Sequence, residues 1–327
     1  MAGTTSFKPH VILGTMTFGV GVGGRIADRA TIGAILSEFR AHGHTELDTA
    51  RMYCEGNTEE VLGELGVVAQ GFKVHTKAYP FKLGDHKPEK LTATFSASLK
   101  ALNQKKVDVF YLHAPDHATP FEVTLKAVQE LYEAGHFAEL GLSNYAAWQV
   151  MQIYQICKVN GYVLPTLYQG MYNALTRDVE KELIPCLRAL NMRFYVYNPL
   201  CGGLLSGFHK FETDPEKGAR FDPNTSQGER YRDRYWNKTY FDAVEHVKQA
   251  VAKHEGMTMV NASHRWVFHH SKLDQSKGDG VVIGVSSVKH AKENLKDCED
   301  GPLPKDIVDA FDEAYAQTKT LQQNYFR

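Results

Sequence analysis

The sequence predicts an α/β protein built as a (β/α)8 barrel of the TIM type, and three observations carry that prediction. Eight short apolar runs alternate with amphipathic helical stretches along the 327 residues. No Pro/Gly/Ser-rich linker divides the chain in two. Six of the runs end on a polar side chain: Asp48 after HTEL, Lys77 after KVHT, His113 after DVFYL, Asn144 after LGLS, Gln169 after PTLY and Tyr197 after RFYV. Alternating strands and helices imply a parallel sheet, and closing that sheet brings every strand end to one rim, where such enzymes place their chemistry. A single domain over residues 1–327 follows, long enough to bury a sizeable core.

Taken in order, strands are expected at Val11 to Leu13, His44 to Leu47, Phe72 to Thr76, Val107 to Leu112, Ala138 to Leu142, Thr166 to Tyr168, Phe194 to Val196 and Val281 to Val285. The helix after the first strand reads clearly, because Ile32, Ile35, Leu36 and Phe39 form one stripe at helical spacing. Ser96, Leu99 and Leu102, and then Val123, Leu125, Val128 and Leu131, repeat the pattern. Gly43, Gly135 and Gly161 fall just past helical runs, where a left-handed cap favours glycine. The long stretch at about 202–237, rich in Gly, Pro, Asp and Arg, reads as a functional loop over the rim, since it follows the seventh strand.

Bulk composition excludes several classes. Hydrophobic residues at 43% and charged residues at 23% describe an ordinary globular chain. The 37 basic and 38 acidic residues leave a formal net charge of -1, with no basic stripe for nucleic acid or an anionic membrane surface. No run approaches the length of a membrane span, and the N-terminal stretch Met1 to Gly14 lacks a secretory pattern. Five scattered cysteines without a CxxC pair suggest free thiols in a reducing compartment. A cytoplasmic location is the expectation.

Two motifs invite a wrong reading. Gly19, Gly21 and Gly24 satisfy GxGxxG after the first strand, but the acidic residue about 20 positions on would be Glu38, inside the next helix rather than at a strand end. Glycines for a tight strand-to-helix turn explain the match better. His113, Asp116 and His117 resemble a zinc pattern, but Pro115 denies them a helical face, so no metal is expected.

Asp48, Tyr53, Lys77 and His113 form the chemical constellation. A phenol near pKa 10 is a poor acid at neutral pH. A nearby ammonium would lower it, a carboxylate would keep that ammonium charged and oriented, and a histidine could donate to a substrate oxygen. Each residue also has a plain role: Asp48 as a helix cap, Tyr53 as packing, Lys77 as a surface charge, His113 as a satisfied core histidine. Three of the four at successive strand ends favour the joint reading.

The motifs LDTARMY, KVHTKA and YLHAPD resemble those of the aldo-keto reductase superfamily. LSNY, YQ and VYNPLCGGLLSG are similar to its cofactor motifs, in the same order. GARF, YRDRYW, GVSSVKHAKENL and the closing NYFR resemble the aflatoxin-aldehyde (succinic semialdehyde) reductase subfamily. The likeness spans Gly14 to Arg327 and implies NADPH-dependent reduction of aldehydes: dialdehydes, aromatic aldehydes, and short carboxylated ones such as succinic semialdehyde. It makes Tyr53 the general acid, with Lys77 lowering its pKa, Asp48 supporting Lys77 beside the nicotinamide, and His113 orienting the carbonyl. Ser143, Asn144 and Gln169 would hold the carboxamide, and Tyr197 would stack on the nicotinamide. Asn198, Pro199, Leu200, Cys201, Gly202, Gly203, Leu204, Leu205, Ser206, Gly207 and Phe208 would follow the pyrophosphate under Arg220. Ser286, Ser287, Lys289, His290, Glu293 and Asn294 would hold the adenosine 2′-phosphate. Tyr231, Arg234, Arg327 and a protonated His113 would face a substrate carboxylate. A homodimer is also implied.

The chain departs from the superfamily at His290, where many members carry arginine; neighbouring Lys289 offers a point charge but no bidentate fork, which softens the preference for NADPH. Cys201 in the pyrophosphate stretch is a possible oxidation point, although small size is the better explanation. Two other readings stand beside the reductase: a pathway-specific alcohol dehydrogenase or ketoreductase of secondary metabolism, and a cofactor-sensing protein like a channel β-subunit.

Overall fold

In the computed structural model, which describes residues 9–327, strand pairing closes on itself. The elements are β1 (Val11–Gly14), α1 (Arg29–Ala41), β2 (Glu46–Asp48), α2 (Asn57–Glu64), β3 (Lys73–Ala78), α3 (Pro88–Ala101), β4 (Val107–Leu112), α4 (Phe121–Glu133), β5 (Phe137–Ser143) and α5 (Ala147–Asn160). They continue as β6 (Pro165–Met171), α6 (Leu183–Ala189), β7 (Arg193–Tyr197), α7 (Ser226–Tyr235), α8 (Lys238–Val251), α9 (Met259–His269), β8 (Gly280–Gly284), α10 (Val288–Glu299) and α11 (Lys305–Thr318). Neighbouring strands are parallel throughout, and β1 pairs with both β2 and β8, with Leu13 opposite Leu47 on one side and Ile283 on the other. The sequence-predicted (β/α)8 barrel is the observed fold. The N-terminal reading falls, up to residue 8, outside the described residues.

Strand alternation divides the side chains between two cores. Ile12, Val109, Tyr111, Leu167, Tyr195 and Val282 point inward and fill the barrel beneath the rim. The opposite faces meet the helices, as where α1 buries Ile32, Ile35, Leu36 and Phe39. Each such fully buried side chain contributes roughly 1.5–3 kcal/mol relative to an exposed one. The Asp28 carboxylate starts α1 by accepting from Thr31 N at 2.8 Å.

Two stripes need correcting. On α3 the buried face is Leu91, Phe95 and Ser98, with Ser96 exposed; on α4 Val123 is exposed while Leu125, Val128 and Leu131 are buried. The barrel surface, not the local apolar count, sets each helix's rotation. Gly43, Gly135 and Gly161 have the left-handed conformation expected of caps. The glycine-rich turn after β1 carries no dinucleotide unit: Gly19 and Gly21 have φ near +110°, and Phe18 bridges back to Ile26 across it. The 202–237 stretch is less irregular than its sequence suggests, because it contains α7, capped where Thr225 Oγ1 accepts from Gly228 N at 3.0 Å. Among the described residues no helix is long and apolar enough to cross a membrane.

Candidate active site

The strand ends deliver the predicted side chains to one rim. Asp48 closes β2, Lys77 lies at the end of β3, and His113 follows β4. Lys77 has no exposed side-chain surface, so it is not a surface charge. Its Nζ lies 2.6 Å from Asp48 Oδ1 and donates to Thr49 O at 2.8 Å. Burial lowers the Lys77 pKa, and the Asp48 carboxylate works against that.

Tyr53 is half-buried beside this pair, with Lys77 Nζ 5.2 Å from its ring centroid. Desolvation, then the Asp48 charge and the phenols of Tyr231 and Tyr197, push the Tyr53 pKa well above its ordinary value, with Arg220 opposing. The sequence expectation was that Lys77 lowers it. In the structure burial and the Asp48 charge dominate instead. The phenol is therefore fully protonated at neutral pH, the form a proton donor needs.

His113 packs edge-on to Tyr53 (centroids 6.1 Å, 80°) and to Tyr79 (5.4 Å, 86°). It is not a satisfied core histidine, because its buried Nδ1 has no partner. Burial, the Lys77 charge and Arg327 hold its pKa well below the usual value. The protonated His113 expected from the sequence is thus replaced by a neutral ring, able to donate one hydrogen bond but adding no charge.

The amides complete the rim. Gln169 Nε2 donates to Asp48 Oδ1 at 2.7 Å, and Tyr197 Oη donates to Asn144 Oδ1 at 2.9 Å. Asn144 in turn donates to His113 O (2.8 Å) and Ser143 Oγ (2.9 Å). Beside them opens a cavity of about 360 Å³, lined by Asn144, Tyr197, Arg230, Arg234 and Arg327 among others. Arg234 Nε is buried there without a partner, and Arg327 Nη1 donates to Tyr79 Oη at 2.9 Å. The Tyr231 ring lies between two guanidiniums, with Arg220 Cζ 5.0 Å and Arg234 Cζ 5.8 Å from its centroid.

After β7 the backbone turns repeatedly through positive φ: Asn198 (66°), Cys201 (50°), Gly202 (71°), Gly203 (108°) and Gly207 (73°). A Cβ on Gly202 would come 2.6 Å from the Tyr231 ring, so this chain segment needs glycine for both φ and space. Asn198 Nδ2 is tied to Tyr235 Oη at 2.7 Å. Cys201 is buried with its thiol bonded to Asn173 Oδ1 at 3.1 Å, and burial raises its pKa, which suits packing rather than oxidation. After β8, Ser287 Oγ caps α10 by accepting from His290 N (3.1 Å), and Ser286 Oγ meets His290 Nδ1 at 2.8 Å.

A profile of the aldo/keto reductase family matches residues 10–316. This chain belongs to the aldo/keto reductase family. Mouse (Mus musculus) "Aflatoxin B1 aldehyde reductase member 2" is 45% identical, over 98% of this chain and 88% of that protein. Human (Homo sapiens) "Aldo-keto reductase family 7 member A3" is 45% identical over 98% of each chain. "Aldo-keto reductase pigE" of Monascus ruber is 41% identical over 90% of this chain and 89% of its own.

As an aldo/keto reductase the chain is an oxidoreductase of small molecules that uses a nicotinamide cofactor. The residues present fit such a group. Positive φ at Asn198, Cys201, Gly202, Gly203 and Gly207 is the kind of backbone that can turn its N–H groups toward a phosphate, and the start of α10 carries two serines and no acidic residue in its first turn. Lys289 is exposed and 3.7 Å from Glu293, while Asn294 Nδ2 donates to Gly284 O at 3.2 Å. Phe208, by contrast, is 85% exposed in this aldo/keto reductase.

Sequence reasoning missed Arg230 and Tyr79. Arg230 precedes Arg234 by one helical turn on α7, a spacing visible once that segment is read as a helix. Tyr79 lies two residues past Lys77 and had no motif to mark it. Asp116 is not a ligand: its carboxylate accepts from Gly84 N (3.0 Å), His86 N (2.9 Å), Ala118 N (3.1 Å) and Thr119 Oγ1 (2.7 Å).

Proposed function

We propose that this chain reduces aldehydes to alcohols with NADPH, with Tyr53 as the proton donor, and that aldehydes bearing a distal carboxylate, such as succinic semialdehyde, are favoured. The observation that carries the reading is the wholly buried Lys77–Asp48 pair beside Tyr53, with the unpartnered His113 ring packed on the same phenol. Three polar groups converging on one phenol, two of them a buried ion pair, are costly to fold and make sense as chemistry.

When bound, the nicotinamide supplies a hydride to the carbonyl carbon. Everything else falls to side chains of this chain. His113 donates to the carbonyl oxygen and aims it. Tyr53 Oη gives up its proton to that oxygen as charge builds there, and the adjacent Lys77 ammonium stabilises the phenolate left behind. Asp48 keeps Lys77 charged and in place. Gln169, Asn144 and Ser143 hold the carboxamide, with Tyr197 against the ring face. The glycine-containing turn under Arg220 takes the pyrophosphate. Ser286, Ser287 and Lys289 receive the 2′-phosphate that distinguishes NADPH from NADH.

The relatives named for aflatoxin B1 aldehyde support an aldehyde substrate, and the three arginines at the cavity favour an anionic one. Steady-state turnover of the purified protein with NADPH, using succinic semialdehyde and 4-nitrobenzaldehyde, tests the reading. Tyr53→Phe keeps the ring and removes the proton, so turnover should fall by about 10²- to 10⁴-fold with NADPH affinity intact. Near-normal reduction by that variant removes Tyr53 from its role.

A further inference from the structure

The carboxylate of Glu59 has no exposed surface and takes no part in the chemistry above. Its two oxygens are both engaged: Arg51 Nη1 donates to Oε2 at 2.9 Å, and Thr76 Oγ1 donates to Oε1 at 2.5 Å. Arg51 is also held from its backbone, where its N–H donates to Lys77 O at 3.2 Å. Arg51 and Glu59 thus pin both ends of the segment that carries Tyr53, and they pin it to the strand that carries Lys77.

That segment needs pinning. Directly after Tyr53 the chain runs through three positive φ angles in a row: Cys54 (47°), Glu55 (57°) and Gly56 (100°). Two of these residues have a Cβ, for which the left-handed region is unfavourable, and consecutive residues rarely adopt it. Strain of this kind persists only where the surroundings over-determine it. The Arg51 guanidinium fills the place a Cβ on Gly56 would take, so the ion pair is packed directly against the strained turn. Glu55 is exposed, and its backbone N–H donates to Met52 O at 3.4 Å.

We infer that the Arg51–Glu59 pair, anchored on Thr76, is a buckle that holds the left-handed turn Cys54–Gly56 and so fixes Tyr53 against Lys77. Arg51 and Glu59 are positioning residues. This rests on Tyr53 being the proton donor. Without the buckle the turn relaxes toward negative φ and Tyr53 spends less time in register with Lys77 and the carbonyl, and misplacement of about 1 Å can cost roughly 10²-fold in rate.

The test uses the full chain with NADPH and 4-nitrobenzaldehyde. Glu59→Gln keeps the shape and the acceptor for Thr76 while removing the charge that holds Arg51. It should lower kcat about 10- to 100-fold, with the NADPH dissociation constant unchanged by fluorescence titration. Adding Glu55→Gly, which removes the Cβ at one of the two strained positions, should recover about fivefold or more of that loss. Glu55→Gly alone should leave kcat as it is. A protein whose buckle is merely structural would lose Tm and show no such rescue, and that result overturns the inference, as does an unchanged kcat in Glu59→Gln. Should Glu59→Gln fail to fold, Glu55→Val asks the same question from an exposed position. A β-branched residue resists the left-handed conformation, so kcat should fall with NADPH affinity intact, and an unchanged kcat overturns the inference. If Tyr53→Phe is inactive but these variants behave as wild type, only the buckle fails; if Tyr53→Phe is active, the donor assignment fails first.

Discussion

Lys77 Nζ stands 2.6 Å from Asp48 Oδ1, with side-chain exposures of 0% and 4%. Removing one partner of such a pair strands the other charge, at a cost of about 3–5 kcal/mol. Asp48→Asn should therefore lose stability on that scale in urea denaturation, along with turnover. Adding Lys77→Met should restore much of the stability and none of the activity. A single variant as stable as wild type would show that Lys77 is already neutral in the folded protein.

The cavity arginines should read substrate charge. A charged hydrogen bond contributes about 1.5–3 kcal/mol, so Arg234→Ala should raise KM for succinic semialdehyde about 10- to 100-fold while barely changing 4-nitrobenzaldehyde. Arg230→Ala should act in the same direction but less, since it is the more exposed of the two. Equal loss on both aldehydes would mean that Arg234 holds α7 and does not meet the carboxylate.

Cofactor choice should turn on the start of α10. Lys289 is 80% exposed and spends part of its charge on Glu293, so its contribution to phosphate binding is modest. NADPH should bind more tightly than NADH, and Lys289→Glu should narrow the gap by up to about tenfold, a loss on the scale of one charge-assisted contact. Equal dissociation constants for the two cofactors in the native protein would refute the assignment of this helix to the 2′-phosphate.

Acid stability should depend on Asp116. Burial alone would raise its carboxyl, but the donors from Gly84, His86, Thr119 and Ala118 outweigh that and bring it down to about 2. The folded value lies below the unfolded one near 3.9, so the stabilisation is complete above that value and is lost as pH falls toward 2. Asp116→Asn should lower Tm at neutral pH and flatten its dependence between about pH 4 and 2. Parallel Tm curves for the two proteins over that range would remove Asp116 from the acid response.

Most of this molecule is legible in its sequence, because the information is local. Each strand is a short apolar run, and the rim residues follow those runs directly, so Asp48, Lys77, His113, Asn144, Gln169 and Tyr197 were found by position alone. What escaped depended on space. Helix α7 has almost no apolar stripe, burying only Gly228 and Tyr235, so its periodicity was faint and Arg230 went unnoticed. Ser96 and Val123 were given to the wrong faces because the barrel decides which side of α3 and α4 turns inward. The upward pKa shift of Tyr53 and the downward shift of His113 were not legible for a related reason: a residue list shows the charges present but not how much water each ring has lost.

The placement of Tyr231 has a further consequence. One aromatic ring is wedged between Arg220, assigned to the pyrophosphate, and Arg234, assigned to the substrate carboxylate, with the Gly202 backbone against it. Such a ring cannot shift to suit one ligand without shifting for the other. Under these assignments the two binding events are reciprocal, each altering the other's affinity by the same factor. Substitution at Tyr231 would then appear as a changed order of addition and release, with the hydride step itself untouched. Selectivity for the aldehyde could not be retuned through this ring without also retuning the hold on the nucleotide.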